Sequence, residues 1–186
     1  MNIYDVSEKA GVSIATVSRV INGNANVSEK TKQRVLSVME ELGYTPNVFA
    51  RGLGLNTMKT IGIMCTDSSD IYLANAVYFL ERELRSNAYD SILCCTGTSL
   101  ENKMQYLNLL LSKRVDGIIL VGSKFLNSDP DTSDNDYILT AAKQLPVMLV
   151  NGQLTGDNIF STMCDDESAV YSVTDNLVKN GQSNIV

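Results

Sequence analysis

Histidine and tryptophan are absent from this 186-residue sequence, proline occurs three times, and no long apolar run interrupts it. Without histidine the commonest general base near neutral pH is missing, which weighs against most hydrolytic chemistry. The four cysteines, Cys65, Cys94, Cys95 and Cys164, never fall into a Cys-x-x-Cys spacing. No metal site is therefore expected, and no cofactor or catalytic residue is assigned. Three of the four lie in apolar, strand-like runs and read as reduced core cysteines, with adjacent Cys94 and Cys95 pointing to opposite faces of a strand. No stretch reaches the roughly 18 apolar residues of a membrane span, and no charged-then-apolar segment opens the chain. The expectation is a soluble, cytoplasmic protein with no membrane partner.

Acid outweighs base, with a formal net charge of −6, which taken alone argues against a nucleic-acid partner. The charge is unevenly spread. Residues 1–56 carry Lys9, Arg19, Lys30, Lys32, Arg34 and Arg51 against five acids, a balance of +1, whereas the rest of the chain stands at −7. A mildly basic N-terminal piece thus precedes an acidic body.

That first piece is punctuated like three short helices. Asn2 is a good N-cap with Asp5 three residues on, Ile3, Val6 and Ala10 follow at helical spacing, and Gly11 ends the helix. Val12 anchors the turn and Ser13 caps residues 14–21. There Val17, Val20 and Ile21 face inward, leaving Ile14, Ala15, Ser18, Arg19 and Asn22 outward. Ser28 caps a third helix with Val35, Val38, Met39 and Leu42 in one stripe, stopped by Gly43. Helix, glycine-containing turn, short helix, loop and closing helix is the helix-turn-helix arrangement. A three-helix bundle packing against something other than DNA is the alternative. It does not require an outward face of small and hydrogen-bonding side chains around one arginine.

Residues 44–57 read as a connector in which Asn47 caps a short helix running to about Leu53. Gly52 and Gly54 each cost such a helix about 1 kcal/mol relative to alanine, so it is expected to order only when bound. From Thr60 the pattern becomes strand–helix alternation. Strands are expected at 60–65, 91–95, 115–121 and 146–150, with a short one at 161–164. Helices are expected at 71–87 (Ala74, Val77, Leu80 and Leu84 inward), 100–114 (Met104, Leu107, Leu110 and Leu111 inward), 136–144 and 166–180. Near-continuous apolar strands between amphipathic helices imply α/β architecture with a parallel sheet covered on both sides. A further strand is expected to begin at Ser183, so the chain reads as truncated within a domain. Asp129, Asp131, Asp134 and Asp136 lack the glycine and distal glutamate of a calcium loop and read as a solvated acidic loop.

Particular stretches resemble the lactose-repressor (LacI) family of bacterial regulators. They are Tyr4-Asp5-Val6, Ala10-Gly11-Val12-Ser13, Thr16-Val17-Ser18-Arg19-Val20-Ile21-Asn22-Gly23, Val27-Ser28-Glu29-Lys30-Thr31 and Glu41-Leu42-Gly43-Tyr44-Thr45-Pro46-Asn47. The likeness continues through Ala50-Arg51-Gly52-Leu53, Thr60-Ile61-Gly62-Ile63 and Val115-Asp116-Gly117-Ile118-Ile119. It implies an all-α helix-turn-helix headpiece (1–45) and a hinge helix (46–58). It further implies the N-terminal lobe of a periplasmic-binding-protein-like effector domain (59–159) and the start of a second lobe (160–186).

It also implies a homodimeric repressor of palindromic operators controlled by a sugar-like effector. A protein co-regulator in place of the small molecule, or a doubly wound enzyme carrying a DNA-targeting headpiece, are the competing classes. The resemblance places Ile14 and Ala15 at base-reading positions, and outward-facing Arg19 on the same helix can donate two bonds to guanine O6 and N7. Tyr4, Ser13, Thr16, Ser18, Asn22 and Ser28 fall on the DNA backbone, Asn47 and Ala50 of the hinge are DNA-binding positions, and Leu53 is the minor-groove wedge. It places Asp67, Tyr72 and Asp165 at the effector cleft. The family's Asn-Pro-Phe-Phe is Asp70-Ile71-Tyr72-Leu73 here, so the ligand class does not carry over.

Overall fold

The computed structural model describes residues 1–23, 26–46, 57–127 and 133–185. The chain divides into two compact units, Met1–Met58 and Lys59–Val186. The expected hinge, with Asn47, Ala50, Gly52, Leu53 and Gly54, lies outside the described residues, as do Asp129 and Asp131. No helix among the described residues is long and apolar enough to cross a membrane.

The first unit is three helices, α1 (Ile3–Ala10), α2 (Ile14–Ile21) and α3 (Glu29–Glu41). Each begins on a side chain that accepts otherwise orphaned backbone N–H groups. Asn2 and Asp5 form a reciprocal capping box, Ser13 accepts from Thr16 N at 3.2 Å, and Ser28 accepts from Thr31 N at 3.3 Å. Gly11 leaves α1 at φ 61°, a left-handed conformation that costs glycine nothing. Val6, Ala10, Val17, Val20 and Val35 are buried together, with Ile3, Val12, Ile21, Val38, Met39 and Leu42 packed around them.

The second unit is a five-stranded, wholly parallel sheet of β1 (Thr60–Cys65), β2 (Asp90–Cys95), β3 (Gly117–Val121), β4 (Val147–Val150) and β5 (Ile159–Thr162), in the order β2-β1-β3-β4-β5. Its helices are α4 (Ile71–Ser86), α5 (Leu100–Ser112), α6 (Asp136–Ala142) and α7 (Asp166–Lys179), with short 3-10 turns at Ser123–Phe125 and Ser133–Asn135. The pleat divides β1 between two cores. Ile63 and Cys65 pack with Leu73, Ala76, Val77, Leu80 and Leu84 of α4. Met64 turns the other way, toward Leu107 and Leu110 of α5 and Ile138 and Ala141 of α6. Gly62 lies directly under Leu110, where a Cβ would stand 2.6 Å from Leu110 Cδ1.

Several expectations need correction. The inward stripe of α4 runs through Leu73 rather than Ala74, which is exposed. On α5 it is Lys103 that is buried, and Met104 is 43% exposed. The last strand starts at Ile159 and crosses the position expected to separate two lobes. Residues 182–185 form no strand. Of the cysteines, Cys65 and Cys94 are buried but Cys95 and Cys164 are exposed. Helix α7 buries none of its residues, leaving Val170, Tyr171, Val173 and Val178 exposed.

Candidate nucleic-acid interface and ligand cleft

The outer surface of α2 presents Ile14, Ala15 and Arg19 exposed, with Thr16, Ser18 and Asn22 half-buried beside them. Local bonds stiffen it. The Ser13 and Thr16 hydroxyls lie 2.9 Å apart, and Asn22 Nδ2 donates to Ser18 Oγ at 3.4 Å. The turn before it is pinned by Ser7 Oγ donating to Val12 O at 2.7 Å. Asn22 Oδ1 is buried with no hydrogen-bond partner among the described residues. Tyr4 stands 66% exposed at the start of α1. Ser28 is occupied as the cap of α3, its hydroxyl also 2.9 Å from Thr31 Oγ1.

The basic side chains among the described residues of this unit fall into two groups. Lys9 pairs with Glu41 at 2.6 Å and Lys32 with Glu29 at 3.7 Å. Glu29, hydrogen-bonded by Gln33 and facing Lys32, titrates below the ordinary glutamate value. Arg19, Lys30 and Arg34 are exposed and make no ion pair among the described residues. Arg19 thus sits uncompensated at the centre of an otherwise neutral surface, where its guanidinium can donate a planar fork of hydrogen bonds.

In the second unit the chain reverses direction across the sheet between β1 and β3, since β2 lies on one side of β1 and β3 on the other. Loops leaving the carboxyl ends of two such strands diverge and open a crevice, the usual ligand position of an open parallel sheet. A cavity of about 190 Å³ lies there, lined by Thr66, Asp67 and Asp70 after β1, Tyr72 and Leu73 of α4, Gly122, Ser123 and Lys124 after β3, and Asn151 after β4. Asp67 accepts from Ser69 N at 2.9 Å and Ser69 Oγ at 2.7 Å. Those bonds, with Lys124 nearby, hold its carboxyl below the usual aspartate value. Asp70 caps α4 through Leu73 N at 3.0 Å, and Tyr72 is 51% exposed at the rim. Asn151 sits at φ 59°, a left-handed conformation that asparagine tolerates better than most residues.

The structure brings Asp67 and Tyr72 together in this crevice but not Asp165, which is not among its lining residues. Asp165 caps α7 by accepting from Ser168 N at 3.1 Å, which lowers its titration point. Lys124 and Asn151 were missed in the sequence reading. Ligands of an open parallel sheet lie beyond the strand carboxyl ends, which selects the residues after β3 and β4 as well as those after β1.

Comparison with known proteins agrees with this geometry. Residues 2–47 match the model of bacterial regulatory proteins of the lacI family, and residues 58–186 match that of periplasmic binding proteins and the sugar binding domain of the LacI family. An HTH-type transcriptional regulator of Lachnoclostridium phytofermentans is 66% identical over 186 residues, all of this chain and 55% of the relative. Catabolite control protein A of Priestia megaterium is 34% identical over 185 residues, covering 100% of this chain and 54% of the relative. The chain therefore spans about half the length of the curated relatives it matches. Among solved structures, the lac repressor dimer bound to operator and the anti-inducer ONPF superposes with a TM-score of 0.79 at 25% identity, covering 96% of this chain and 52% of that one. With both halves matched to the same family, the chain belongs to the LacI family of bacterial regulatory proteins.

Proposed function

We propose that the chain supplies the operator-reading headpiece and the first effector-binding lobe of a cytoplasmic transcriptional repressor that acts as a homodimer and not as an enzyme. The observation that carries this is the surface of α2, with exposed Ile14, Ala15 and Arg19 flanked by hydroxyl and amide groups and, among the described residues, no acid paired to the arginine. Arg19 donates two bonds to guanine O6 and N7 in the major groove, while Ile14 and Ala15 contact thymine methyls. Tyr4, Ser13, Thr16, Ser18, Asn22 and Ser28 set register on phosphates, joined by Asn47 and Ala50, and Leu53 wedges into the minor groove.

The crevice at the β1/β3 switch point takes a small polyhydroxylated effector, with Asp67 accepting hydroxyl hydrogens and Tyr72 covering an apolar ring face. Asp165 joins it when a second lobe closes over the cleft, and closure shifts the dimer equilibrium that orders the hinges. Selection of bound sites from a random duplex library tests this reading. A two-fold symmetric consensus is expected, and failure to enrich any palindrome with the dimeric protein would sink it.

A further inference from the structure

We infer that Cys65 and Cys95 are a redox pair, closing reversibly into a disulfide between β1 and β2 when a peroxide oxidises them. The two residues are register partners at the last rung of the β1–β2 ladder, and their sulfurs lie 3.8 Å apart. Hydrogen-bonded strands are about 4.8 Å apart. That falls inside the window of roughly 4.4–6.8 Å between Cα atoms that a disulfide needs. Register partners also direct their side chains to one face of the sheet, so closure to a bond of about 2.05 Å requires side-chain rotation and no strand shift. The neighbouring thiol does not compete from this rung, because the pleat turns buried Cys94 to the opposite face, into the core with Met64 and Leu107.

The two sulfurs differ in access, which sets the order of events. Cys95 is exposed at the sheet edge and Cys65 is fully buried. Burial and the contact with Cys95 push the Cys65 thiol up to about 12, so it stays protonated and is not the first to react. A hydroperoxide transfers one oxygen to Cys95 Sγ, its O–O bond breaking, and leaves as water or an alcohol, giving a sulfenic acid. Cys65 Sγ then attacks that sulfur. The S–S bond forms, the S–O bond breaks, and the hydroxyl leaves with the Cys65 proton as water. For hydrogen peroxide the sum is two thiols oxidised, one peroxide reduced and two waters released; a dithiol reductant reverses it.

The bridge falls where it has a consequence for the crevice. Thr96 N already donates to Cys65 O at 2.9 Å and Gly97 N to Thr66 O at 3.0 Å. A covalent link here fastens the edge strand to the strand end from which Thr66 and Asp67 issue. The inference is independent of what the crevice or the headpiece binds.

The test uses the whole chain, reduced, exposed to graded hydrogen peroxide, quenched with N-ethylmaleimide and mapped by mass spectrometry after digestion. Two of the four thiols are expected to disappear together, with a cross-linked peptide pair containing Cys65 and Cys95 that dithiothreitol releases. Cys95→Ser, at an exposed position, is expected to abolish the cross-link. The inference is overturned if the wild type keeps the Cys65 and Cys95 thiols at peroxide levels that oxidise exposed Cys164. It is equally overturned if the Cys65 cross-link survives Cys95→Ser or runs between chains.

Discussion

Lys103 of α5 donates its ammonium to the backbone carbonyl of Lys124, so one buried cation holds the turn that carries another to the rim of the crevice. The same ammonium lies 5.6 Å from the centre of the Phe125 ring, and Tyr137 Oη donates to Phe125 O at 2.9 Å. Two buried polar side chains, from α5 and α6, therefore hydrogen-bond a segment whose Phe125 ring is already packed in the core.

Lys103→Met keeps the aliphatic stem and removes the donor. The lost charge-assisted bond and the orphaned Lys124 carbonyl outweigh the relieved desolvation, giving a net loss of about 1 kcal/mol in urea unfolding. The pH dependence has a definite sign. Burial pulls the folded lysine below its ordinary value of 10.5, so between the folded and unfolded values the unfolded chain holds more protons and stability rises with pH. The wild type should therefore gain on Lys103→Met as pH climbs toward 10.5. A constant difference across that window contradicts the assignment.

Tyr137→Phe should behave oppositely. Burial raises the Tyr137 hydroxyl above its ordinary 10.0, so above that pH the unfolded chain ionises this tyrosine while the folded one does not. Its stabilisation is complete below the unfolded value and lost as pH rises beyond it. Tyr137→Phe is expected to cost about 1 kcal/mol at neutral pH from the lost hydrogen bond, with a shallower alkaline decline. Equal alkaline slopes for the two proteins would remove Tyr137 as a contributor.

Gly62→Ala tests the approach of β1 to α5. The new methyl would stand 2.6 Å from Leu110 Cδ1, and Leu110 is fully buried and cannot swing away. Overpacking of this kind costs about 1–3 kcal/mol. Leu110→Ala also destabilises alone, by leaving a cavity. The double variant should be markedly more stable than the sum of the two losses, because each change fills or vacates the same space. Strict additivity in a double-mutant cycle would show that the contact is not what constrains position 62.

The headpiece was legible because its signals are local. Asn2, Ser13 and Ser28 cap helices a few residues away, and α2 spans the expected residues 14–21. The body's alternation was also legible, but what depends on packing was not. On α4 the expected Val77, Leu80 and Leu84 do face the sheet, and only the first position, set by how the helix start docks, is Leu73 instead of Ala74. The burial of Lys103 depends on a carbonyl 21 residues along the chain. The closeness of Cys65 to Cys95 exists only in the parallel register. Only the resemblance links Asp165 to the cleft, and its local hydrogen bond caps α7.

Arg19 gives the sharpest test of the proposed DNA-reading surface, because charge and geometry separate there. If it forks onto a guanine, Arg19→Ala should weaken binding to the selected operator by about 1–3 kcal/mol, mostly as lost discrimination at one symmetric base pair. Arg19→Lys keeps the charge but not the planar pair of donors, so it should lose most of that discrimination too. Lys30→Ala serves as the contrast. Lys30 is exposed without an ion pair among the described residues and lies off α2, so any loss it causes should be nearly uniform across sequences, with a smaller salt dependence. Anisotropy titrations of dimeric protein on operator and scrambled duplex, at several salt concentrations, distinguish these patterns. Were Arg19→Ala to weaken both duplexes equally, Arg19 would be a phosphate contact, and sequence reading would have to rest on Ile14, Ala15 and DNA shape.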